Sequence, residues 1–328
     1  MSPDLPPALR QGVDALLNGV RRSGLAARSS DLSDGYRAGK ASKVVIRSAE
    51  DAAAYAAARL PATYAAVARA LSEADARLVD FQPTSLLDAG SGPGAAGWAA
   101  MQLWDSLETA VLLDSSRIFL DLAERLATQG PPALAQAERR LVDLTQAGAW
   151  PRVDLVLASY VLAELPQDKI PSVVERLWSA CGGLLVLVEP GSGEGWGRIK
   201  LARDRLIALD AVLVAPCAHA LPCPIQAPDW CHFVQRLPRS RDHRQAKGAE
   251  RPFEDEKFIY LIAARPELTL TGQAPRILAP PRASKIGIDF KICTAAGTCV
   301  TRTVERRDKA NFPAARRLDW GDLALGDE

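Results

Sequence analysis

The chain has 328 residues, of which 48% are hydrophobic and 24% charged, and its formal net charge is +1. This composition is typical of a globular protein with a substantial core, and the length predicts more than one folding unit. No apolar run approaches the roughly 20 residues that a membrane-spanning helix requires, and the N-terminal sequence lacks the layout of a signal peptide. We therefore expect a cytoplasmic protein without a membrane partner. In that reducing compartment the six cysteines are expected to be ligands or free thiols rather than disulfides.

Charge is distributed unevenly along the chain. Residues 1–235 carry 22 Lys and Arg against 26 Asp and Glu, whereas residues 236–328 carry 18 against 13, and residues 271–320 carry 10 against 4. A basic C-terminal segment on an acidic body suits a polyanionic partner such as nucleic acid, although a solvated charged face has the same pattern.

Residues 1–80 are expected to form a helical region. Apolar residues recur at helical spacing in LRQGVDALLNGV and in AAYAAARLPATYAAVARAL, and Pro61 predicts that a helix ends or kinks near Leu60. The intervening SSDLSDGYRAGKASK is predicted to be looser.

Residues 81–212 alternate between strand and helix patterns, which indicates a parallel sheet with crossover helices. The predicted strands are SLLDAG (ending in a glycine loop), TAVLLDSS, RRLVDL, VDLVLASYVLAEL (running into a helix) and GLLVLVEPGSGEG (with a glycine-rich exit loop). The predicted helices are AAGWAAMQLW, IFLDLAERLA and KIPSVVERLWSAC. We therefore expect an α/β fold with a doubly wound sheet. Residues 213–270 are expected to hold a cysteine-rich segment and a last core strand, KFIYLIAAR, and residues 271–328 a small, basic, β-rich appendage.

A glycine-rich loop follows the first predicted strand. It contains Asp88, Gly90, Gly92 and Gly94, and glycines there allow a tight turn and a close approach of the backbone to a ligand. The stretch also fits the dinucleotide pattern, but that alignment leaves Asp88 and Gly90 without a role. The position of Asp88 is that of class I methyltransferases, which favours S-adenosylmethionine as the cofactor.

The methyltransferase resemblance assigns two further acids. An acid that ends the second strand binds the ribose hydroxyls in that family, and Asp114 stands there. Two carboxylate oxygens suit a vicinal diol. By the same analogy Asp143 lies near the adenine. The competing interpretation of all these acids is that they cap turns and helices.

No catalytic motif is identifiable. The Asn/Asp-Pro-Pro-aromatic stretch that follows the fourth strand in many nitrogen methyltransferases is absent, and no nucleophilic cysteine lies at that strand end. Tyr160 and Glu164 are expected beside the cofactor pocket, where packing or capping explains them equally well. The catalytic residues stay unassigned.

Four cysteines form the second candidate site. Cys217, Cys223 and Cys231 lie in the proline-containing run CAHALPCPIQAPDWCHF, which also holds His219 and His232, and Cys293 lies in FKICTAAG. A loop with little apolar surface can be ordered by a metal. Zinc and a [4Fe–4S] cluster both accept such ligands, and the spacing leaves the two open, with buried unligated thiols as the third possibility.

Several motifs in order resemble the methyltransferase-like family of small-ribosomal-subunit assembly factors, best known from mitochondria and with bacterial members. The resemblance rests on AYAAARLPATY, LLDAGSGPG, ASYVLAEL, VEPGS, CPIQAPDWCHFVQRLPRSRDHR, FEDEKFIYLIAAR, RILAPPR and the terminal WGD. It implies a bacterial member with a methyltransferase-like domain, a [4Fe–4S] cluster and binding to small-subunit ribosomal RNA. The implied cluster ligands are Cys217, Cys223, Cys231 and Cys293, with Cys299 as a substitute for Cys293. Cys181 is expected to serve packing.

The sequence therefore predicts an assembly factor that binds ribosomal RNA and holds S-adenosylmethionine and an iron–sulfur cluster. The arginines expected to contact phosphates are Arg302, Arg306, Arg307, Arg316 and Arg317. Two alternatives are an active ribosomal RNA methyltransferase and a small-molecule methyltransferase with a structural zinc.

Overall fold

The structure, a computed structural model, describes residues 1–18, 22–37, 39, 41–272 and 274–325. Its helices are α1 (Pro7–Leu17), α2 (Arg22–Arg37), α3 (Ser42–Val45), α4 (Ala49–Ala58), α5 (Leu60–Asp75), α6 (Ala95–Met101), α7 (Arg117–Ala127), α8 (Pro132–Ala135), α9 (Ile170–Ala180), α10 (Gly193–Ile207), α11 (Arg241–Ala246) and α12 (Phe312–Ala315). Its strands are β1 (Ser85–Ala89), β2 (Thr109–Asp114), β3 (Glu138–Leu141), β4 (Val153–Ser159), β5 (Cys181–Pro190), β6 (Val212–Ala215), β7 (Phe233–Pro238), β8 (Phe253–Ala264), β9 (Arg276–Ile277), β10 (Arg282–Ala283), β11 (Gly287–Cys293) and β12 (Cys299–Glu305).

The central sheet has the order β3-β2-β1-β4-β5-β8-β6, and β7 also pairs with β8. Strands β1 to β5 are all parallel to one another. Strand β8 runs antiparallel to β5, β6 and β7. This order, with one antiparallel strand beside β5, is that of class I methyltransferases. The predicted α/β fold class is confirmed.

The strand order explains where a ligand can bind. From β1 the chain builds the sheet outward to β2 and β3, and then returns to add β4 and β5 on the other side of β1. Right-handed crossovers that reverse direction in this way place helices on both faces of the sheet. They also leave a crevice beyond the carboxyl ends of β1 and β4. Strand β5 crosses the centre of the core, and its residues 184–188 are at most 1% exposed.

The N-terminal region is helical as predicted, with one correction. Helix α4 ends at Ala58 and α5 begins at Leu60 with Pro61 in its first turn, as the sequence indicates. Residues 29–37, predicted to be loose, are instead part of α2. Buried Leu25 and Leu32 explain this, because they lie two turns apart on one face of the helix. Residues 19, 20, 38 and 40 of the predicted segments lie outside the described residues.

Two predicted core elements are also corrected. Strand β3 ends at Leu141, so that Asp143 lies beyond the strand rather than within it. The helix predicted directly after β4 is only a 3-10 turn, Leu162–Glu164. Tyr160, with a φ of 60°, turns the chain sharply at the end of β4, and Pro166 disfavours helical backbone at Leu165.

The C-terminal residues form a second, four-stranded antiparallel sheet, as the predicted β-rich appendage requires. It has its own small core, in which Ile277, Phe290 and Ile292 are buried. Arg276 joins this sheet to the main body, because its guanidinium lies 2.7 Å from Glu73 of α5 while its side chain is almost fully buried. No helix in the described part of the chain is long and apolar enough to cross a membrane.

Candidate functional site

The glycine loop after β1 forms one wall of a cavity of about 300 Å³ at the carboxyl ends of β1, β2 and β4. Gly90 and Gly92 line this cavity, with φ angles of 73° and 52°. Left-handed backbone of this kind disfavours any residue with a Cβ. A Cβ on Gly90 would also lie 2.3 Å from Val161 Cγ2. Gly94, with a φ of 87°, precedes α6 and does not line the cavity.

Asp114 ends β2 and presents its carboxylate to the same cavity. Its Oδ2 accepts a hydrogen bond from the Gly92 N–H (2.8 Å) and its Oδ1 accepts one from the Ser116 N–H (2.7 Å). Burial raises the pKa of this carboxyl to about 6, so that Asp114 is ionised at neutral pH. A fixed carboxylate with free lone pairs is suited to accepting hydrogen bonds from two hydroxyl groups.

The other two predicted acids differ in position. Asp88 is fully buried under the loop and does not line the cavity. Its Oδ2 accepts a hydrogen bond from the Gly97 N–H (3.2 Å), its Oδ1 has no partner, and burial raises its pKa to about 7. Asp143 does line the cavity, and hydrogen bonds from Thr145 lower its pKa to about 2.

The N-terminal region covers the cavity, which the sequence does not reveal. The Ser42 N–H and hydroxyl donate to the two carboxylate oxygens of Glu164, at 2.6 and 2.5 Å. Lys43 lies 3.1 Å from Asp143. Because these partners are 100 or more residues apart, no local pattern could have indicated them.

Tyr160 lines the cavity at the end of β4. Its hydroxyl donates to Glu256 Oε1 (2.9 Å), and Arg59 lies 3.8 Å from the same oxygen. Burial raises the pKa of Tyr160 well above 10, so its hydroxyl is protonated and serves as a donor. Glu164, as expected, also lines the cavity, and burial raises its pKa to about 7.

The cavity fits S-adenosylmethionine by its chemistry. It combines a carboxylate for a diol, a loop whose backbone can approach a ligand, and apolar walls from Phe119, Val161 and Leu165. Its volume is at the lower end of the range for small-molecule sites.

The cysteine-rich run forms a loop that is anchored at both ends by one strand. It leaves β6, whose Ala215 pairs with Ile262 of β8, and enters β7, whose Phe233 pairs with Phe258 of β8. The described loop contains neither helix nor strand, as predicted.

The structure brings the four predicted cysteines to one cavity: they are Cys217, Cys223, Cys231 and Cys293. Ile225, Leu278 and His219 also line this cavity. Burial and the neighbouring thiols raise the pKa of Cys231 well above 9, and burial raises that of Cys293 to about 12. In the described residues, no group of three or more His, Cys, Asp or Glu side chains already stands in an arrangement that would hold a metal ion. The four thiols therefore line one cavity without forming a ready-made metal site.

Two buried arginines lie beside these thiols. Arg203, 3% exposed, donates to the carbonyl oxygens of His219 (2.9 Å) and Leu221 (2.6 Å). Burial raises the pKa of Cys217, and the positive charge of Arg203 opposes that rise. Arg276 has the same electrostatic effect on Cys231. Four thiolates around a dication, or around a dicationic cluster, carry a net charge of about −2 that must be compensated when buried. The residues present thus fit a metal centre, and sequence patterns alone did not mark either arginine.

His219 is the nearest polar neighbour of Cys293. Its Nδ1 lies 3.1 Å from the Leu221 carbonyl oxygen, which can only accept, so Nδ1 carries the proton. Its Nε2 lies 3.5 Å from Cys293 Sγ. His232 is directed elsewhere, and stacks on Trp230 with ring centroids 5.4 Å apart.

The remaining cysteines lie outside the cavity. Cys299 is partly exposed at the start of β12 and packs against the cysteine group without lining its cavity. Cys181, predicted to lie on a helix of the core, is instead the first residue of β5, because α9 ends at Ala180. It is fully buried in the main core, as expected for a packing residue.

The C-terminal arginines are mostly exposed. Arg306, Arg307, Arg316 and Arg317 are accessible to solvent, and Arg307 pairs with Glu305. Arg302 is partly buried and donates to the Leu325 carbonyl oxygen (3.1 Å). The predicted basic surface therefore consists chiefly of the residues that follow β12.

Comparison with known proteins gives a consistent set of relatives. A family model described as mitochondrial small ribosomal subunit Rsm22 matches residues 49–324. The ribosome assembly protein METTL17, mitochondrial, of Homo sapiens is 33% identical over 289 residues, which cover 82% of this chain and 61% of that protein. The Rsm22-cox11 tandem protein 2, mitochondrial, of Schizosaccharomyces pombe is 25% identical over 296 residues, which cover 75% of this chain and 39% of that protein. The chain therefore spans less than two thirds of the length of these curated relatives.

Solved methyltransferase structures overlap with the chain more loosely. Magnesium protoporphyrin IX methyltransferase of Synechocystis PCC 6803 with bound S-adenosylmethionine has a TM-score of 0.40 and 15% identity, over 67% of this chain and 85% of that chain. The N-methyltransferase NodS of Bradyrhizobium japonicum WM9 has a TM-score of 0.39 and 12% identity, over 61% of this chain and 86% of that chain. Sequence identities and TM-scores this low give no information about function.

Proposed function

Because the chain belongs to the Rsm22 family of mitochondrial small ribosomal subunit proteins, we propose that it acts in assembly of the small ribosomal subunit. In this proposal it is a cytoplasmic protein that binds small-subunit ribosomal RNA, holds S-adenosylmethionine in the cavity beside the glycine loop, and carries a [4Fe–4S] cluster on four cysteines.

The observation that carries the proposal is the origin of the four cysteines. Cys217, Cys223 and Cys231 come from the loop between two strands of the central sheet, whereas Cys293 ends β11 of the small C-terminal sheet. A metal centre ligated by all four would tie the two sheets together covalently. Since a structural metal contributes its binding free energy to the folded arrangement, the orientation of the C-terminal sheet would depend on the metal.

The basic residues of that sheet give the metal a function in RNA binding. The exposed arginines follow β12, at the end of the β11–β12 hairpin opposite to Cys293. Seven residue pairs connect these two ends, and a hairpin of this length behaves as a stiff arm. Fixing Cys293 would therefore fix the position of the arginines relative to the main body, and rigid placement lowers the entropic cost of binding.

A second surface element lies next to the cysteines. Trp230 is 37% exposed, its indole N–H donates to the Gly191 carbonyl oxygen (3.0 Å), and its ring stacks on His232. Both residues adjoin Cys231 in sequence. Burial lowers the pKa of His232, and the nearby charges of Lys257 and Lys291 lower it further. An exposed aromatic ring among lysines is suited to stacking on an unpaired base.

S-adenosylmethionine, when bound, supplies an electrophilic methyl group on a sulfonium. The residues of this chain would bind the molecule: Asp114 would accept from the ribose hydroxyls, and the glycine loop would let its backbone approach the ligand closely. Ser42 and Lys43, which bridge to Glu164 and Asp143, exclude water from the pocket. In the assembly factor this bound molecule would stabilise the core rather than react.

The test begins with the iron and acid-labile sulfide content of protein purified without oxygen. We expect about four of each per chain in the wild type and in the control Cys181→Ser, and loss of both in Cys217→Ser and Cys231→Ser. The same preparations are then titrated with small-subunit ribosomal RNA at several salt concentrations. Affinity that falls with salt, and falls further on loss of the cluster, supports the proposal. Zinc in place of iron supports the small-molecule methyltransferase instead, and no preference for small-subunit RNA refutes the assembly function.

Methylation of ribosomal RNA is the second candidate, favoured by the position of the cavity. The cavity is lined by Ser159 and Tyr160 at the end of β4, where an acceptor would have to enter. Tritium transfer from labelled S-adenosylmethionine to small-subunit precursors would establish it. Absence of transfer from protein loaded with both cofactor and cluster excludes it and leaves the assembly factor.

A further inference from the structure

Cys293 and Cys299 lie directly opposite each other in the β11–β12 hairpin. The two residues are Cα partners in the antiparallel register, at the last pair before the turn. Opposite residues of an antiparallel pair have Cα atoms about 4.5 or 5.5 Å apart, depending on the hydrogen-bonding pattern. Both distances fall within the range of natural disulfides, and opposite side chains point to the same face of the sheet.

The turn holds the two cysteines in this register. The Thr294 N–H donates to the Thr298 carbonyl oxygen (2.9 Å), and the two threonine hydroxyls are 2.8 Å apart. Gly297 adopts the left-handed φ of 75° that the turn requires. Because the hairpin is closed this tightly, the opposed thiols do not depend on the metal site for their proximity.

The two thiols differ in their surroundings. Cys293 is 7% exposed and lines the cysteine cavity, so it is available to a metal. Cys299 is partly exposed and does not line that cavity. A fifth cysteine is thus partly exposed and lies directly opposite one of the four proposed ligands in the hairpin.

We propose that Cys293 and Cys299 form a reversible disulfide when the metal site is empty, with a hydroperoxide as the oxidant. The disulfide itself requires no metal, and only its effect on metal loading rests on the proposed function. The bond would withdraw the one ligand that the C-terminal sheet contributes. The oxidised chain could not reload the centre, and a dithiol reductant would restore it.

The chemistry balances in two steps. The sulfur of Cys299, the more exposed thiol, attacks one oxygen of the hydroperoxide, the O–O bond breaks, and a sulfenic acid forms while water or an alcohol leaves. The sulfur of Cys293 then attacks the sulfenic sulfur, the S–O bond breaks, and hydroxide leaves and combines with the thiol proton as water. Two thiols are oxidised by two electrons, and one peroxide is reduced.

The sequence makes the product simple to detect. Trypsin cleaves after Lys291 and Arg302, so residues 292–302 form one peptide that contains both cysteines and no others. Protein stripped of metal with a chelator is treated with one equivalent of hydrogen peroxide, alkylated and digested. We expect this peptide to be lighter than its reduced form by two hydrogen atoms and to be unalkylated. Dithiothreitol should return both alkylation sites and the capacity to take up iron and sulfide.

Two variants complete the test. In Cys299→Ser, which lacks the more exposed thiol that reacts first, we expect buried Cys293 to stay open to alkylation after one equivalent of hydrogen peroxide and metal uptake to be retained, because a sulfinic acid would require a second equivalent. Cys181→Ser should behave as the wild type. In the wild type, a peptide 292–302 that stays fully alkylated, or Cys293 joined to Cys217, Cys223 or Cys231, would overturn the inference. If the disulfide forms in a chain that never takes up metal, the disulfide site is real and the metal centre of the proposed function is not.

Discussion

Replacing Gly90 with alanine tests the packing of the glycine loop against the residues that follow β4. Two penalties add at this position. The φ of 73° is left-handed, which costs a residue with a Cβ about 1–2 kcal/mol. The new methyl group would also lie 2.3 Å from Val161 Cγ2 and 2.6 Å from Val161 Cβ. Relieving such overlap in a packed core typically costs about 1–3 kcal/mol. We expect Gly90→Ala to lower the free energy of unfolding by about 2–5 kcal/mol.

Gly92→Ala separates the two penalties. Gly92 has a φ of 52°, but the nearest atom to an added Cβ is Phe119 Cδ2 at 4.0 Å. This variant therefore carries the backbone strain without the overlap, and about 1–2 kcal/mol is expected. The difference between the two variants, about 1–3 kcal/mol, measures the contact with Val161.

The assay is equilibrium unfolding in urea, monitored by tryptophan fluorescence, with the slope of the transition compared among the three proteins. Protein prepared under one metal-loading condition is used throughout, since bound metal shifts apparent stability. If the two variants lose the same free energy within about 0.5 kcal/mol, the loop does not pack on Val161 as described, and the reasoning is refuted.

Three further outcomes are expected. Asp114→Asn should weaken S-adenosylmethionine binding about tenfold or more. Wild-type affinity, measured by calorimetry from about pH 5 to about pH 8, should fall as the pH drops through the pKa of about 6 because the Asp114 carboxylate becomes protonated. The variant should lack this fall near pH 6 and keep only the pH dependence that Glu164, with a pKa of about 7 in the same cavity, contributes. Arg276→Met removes the buried partner of Glu73, which still has Arg69 at 2.9 Å, and leaves the Gly321 carbonyl oxygen without its donor. Urea unfolding should therefore show a loss of about 1–3 kcal/mol, and an unchanged midpoint contradicts this. Trp230→Ala should cost about 1–3 kcal/mol in RNA binding, whereas Trp150→Ala, in the main body beneath an arginine, should leave affinity unchanged.

Local patterns predicted the glycine loop and its neighbours well, because these residues are either close in sequence or brought together by the order of the parallel strands. Asp88, the glycines and α6 form one continuous strand–turn–helix unit, and parallel strands bring the end of β2, with Asp114, to the end of β1. Asp88 does not line the cavity, and its role in binding the cofactor stays a prediction. A carboxylate at the strand end was expected in the site, but its side chain points beneath the loop, where it accepts from the Gly97 N–H.

Predictions that depended on intrinsic preference alone failed in two places. Residues 29–37 contain serine, aspartate and glycine, which favour loops, yet they belong to a helix because α2 packs its leucines into the core. The predicted helix after β4 is limited to one 3-10 turn. Intrinsic preferences for helix or loop amount to less than about 1 kcal/mol per residue. Tertiary packing outweighed them in α2, and the strained backbone of Tyr160 outweighed them after β4.

Sequence by itself determined the fold class, the glycine loop and the identity of the cysteines, since each depends on periodicity or on residues within a short stretch. Only the tertiary structure decided that Cys293, rather than Cys299, faces the other three cysteines. It also placed Arg203 and Arg276 beside them, and brought Ser42 over a cavity built some 50 to 120 residues later in the chain. These are contacts between residues distant in sequence. They arise when the chain closes large loops to bury apolar surface, and the residues that meet carry no mark of their partners in their own neighbourhoods.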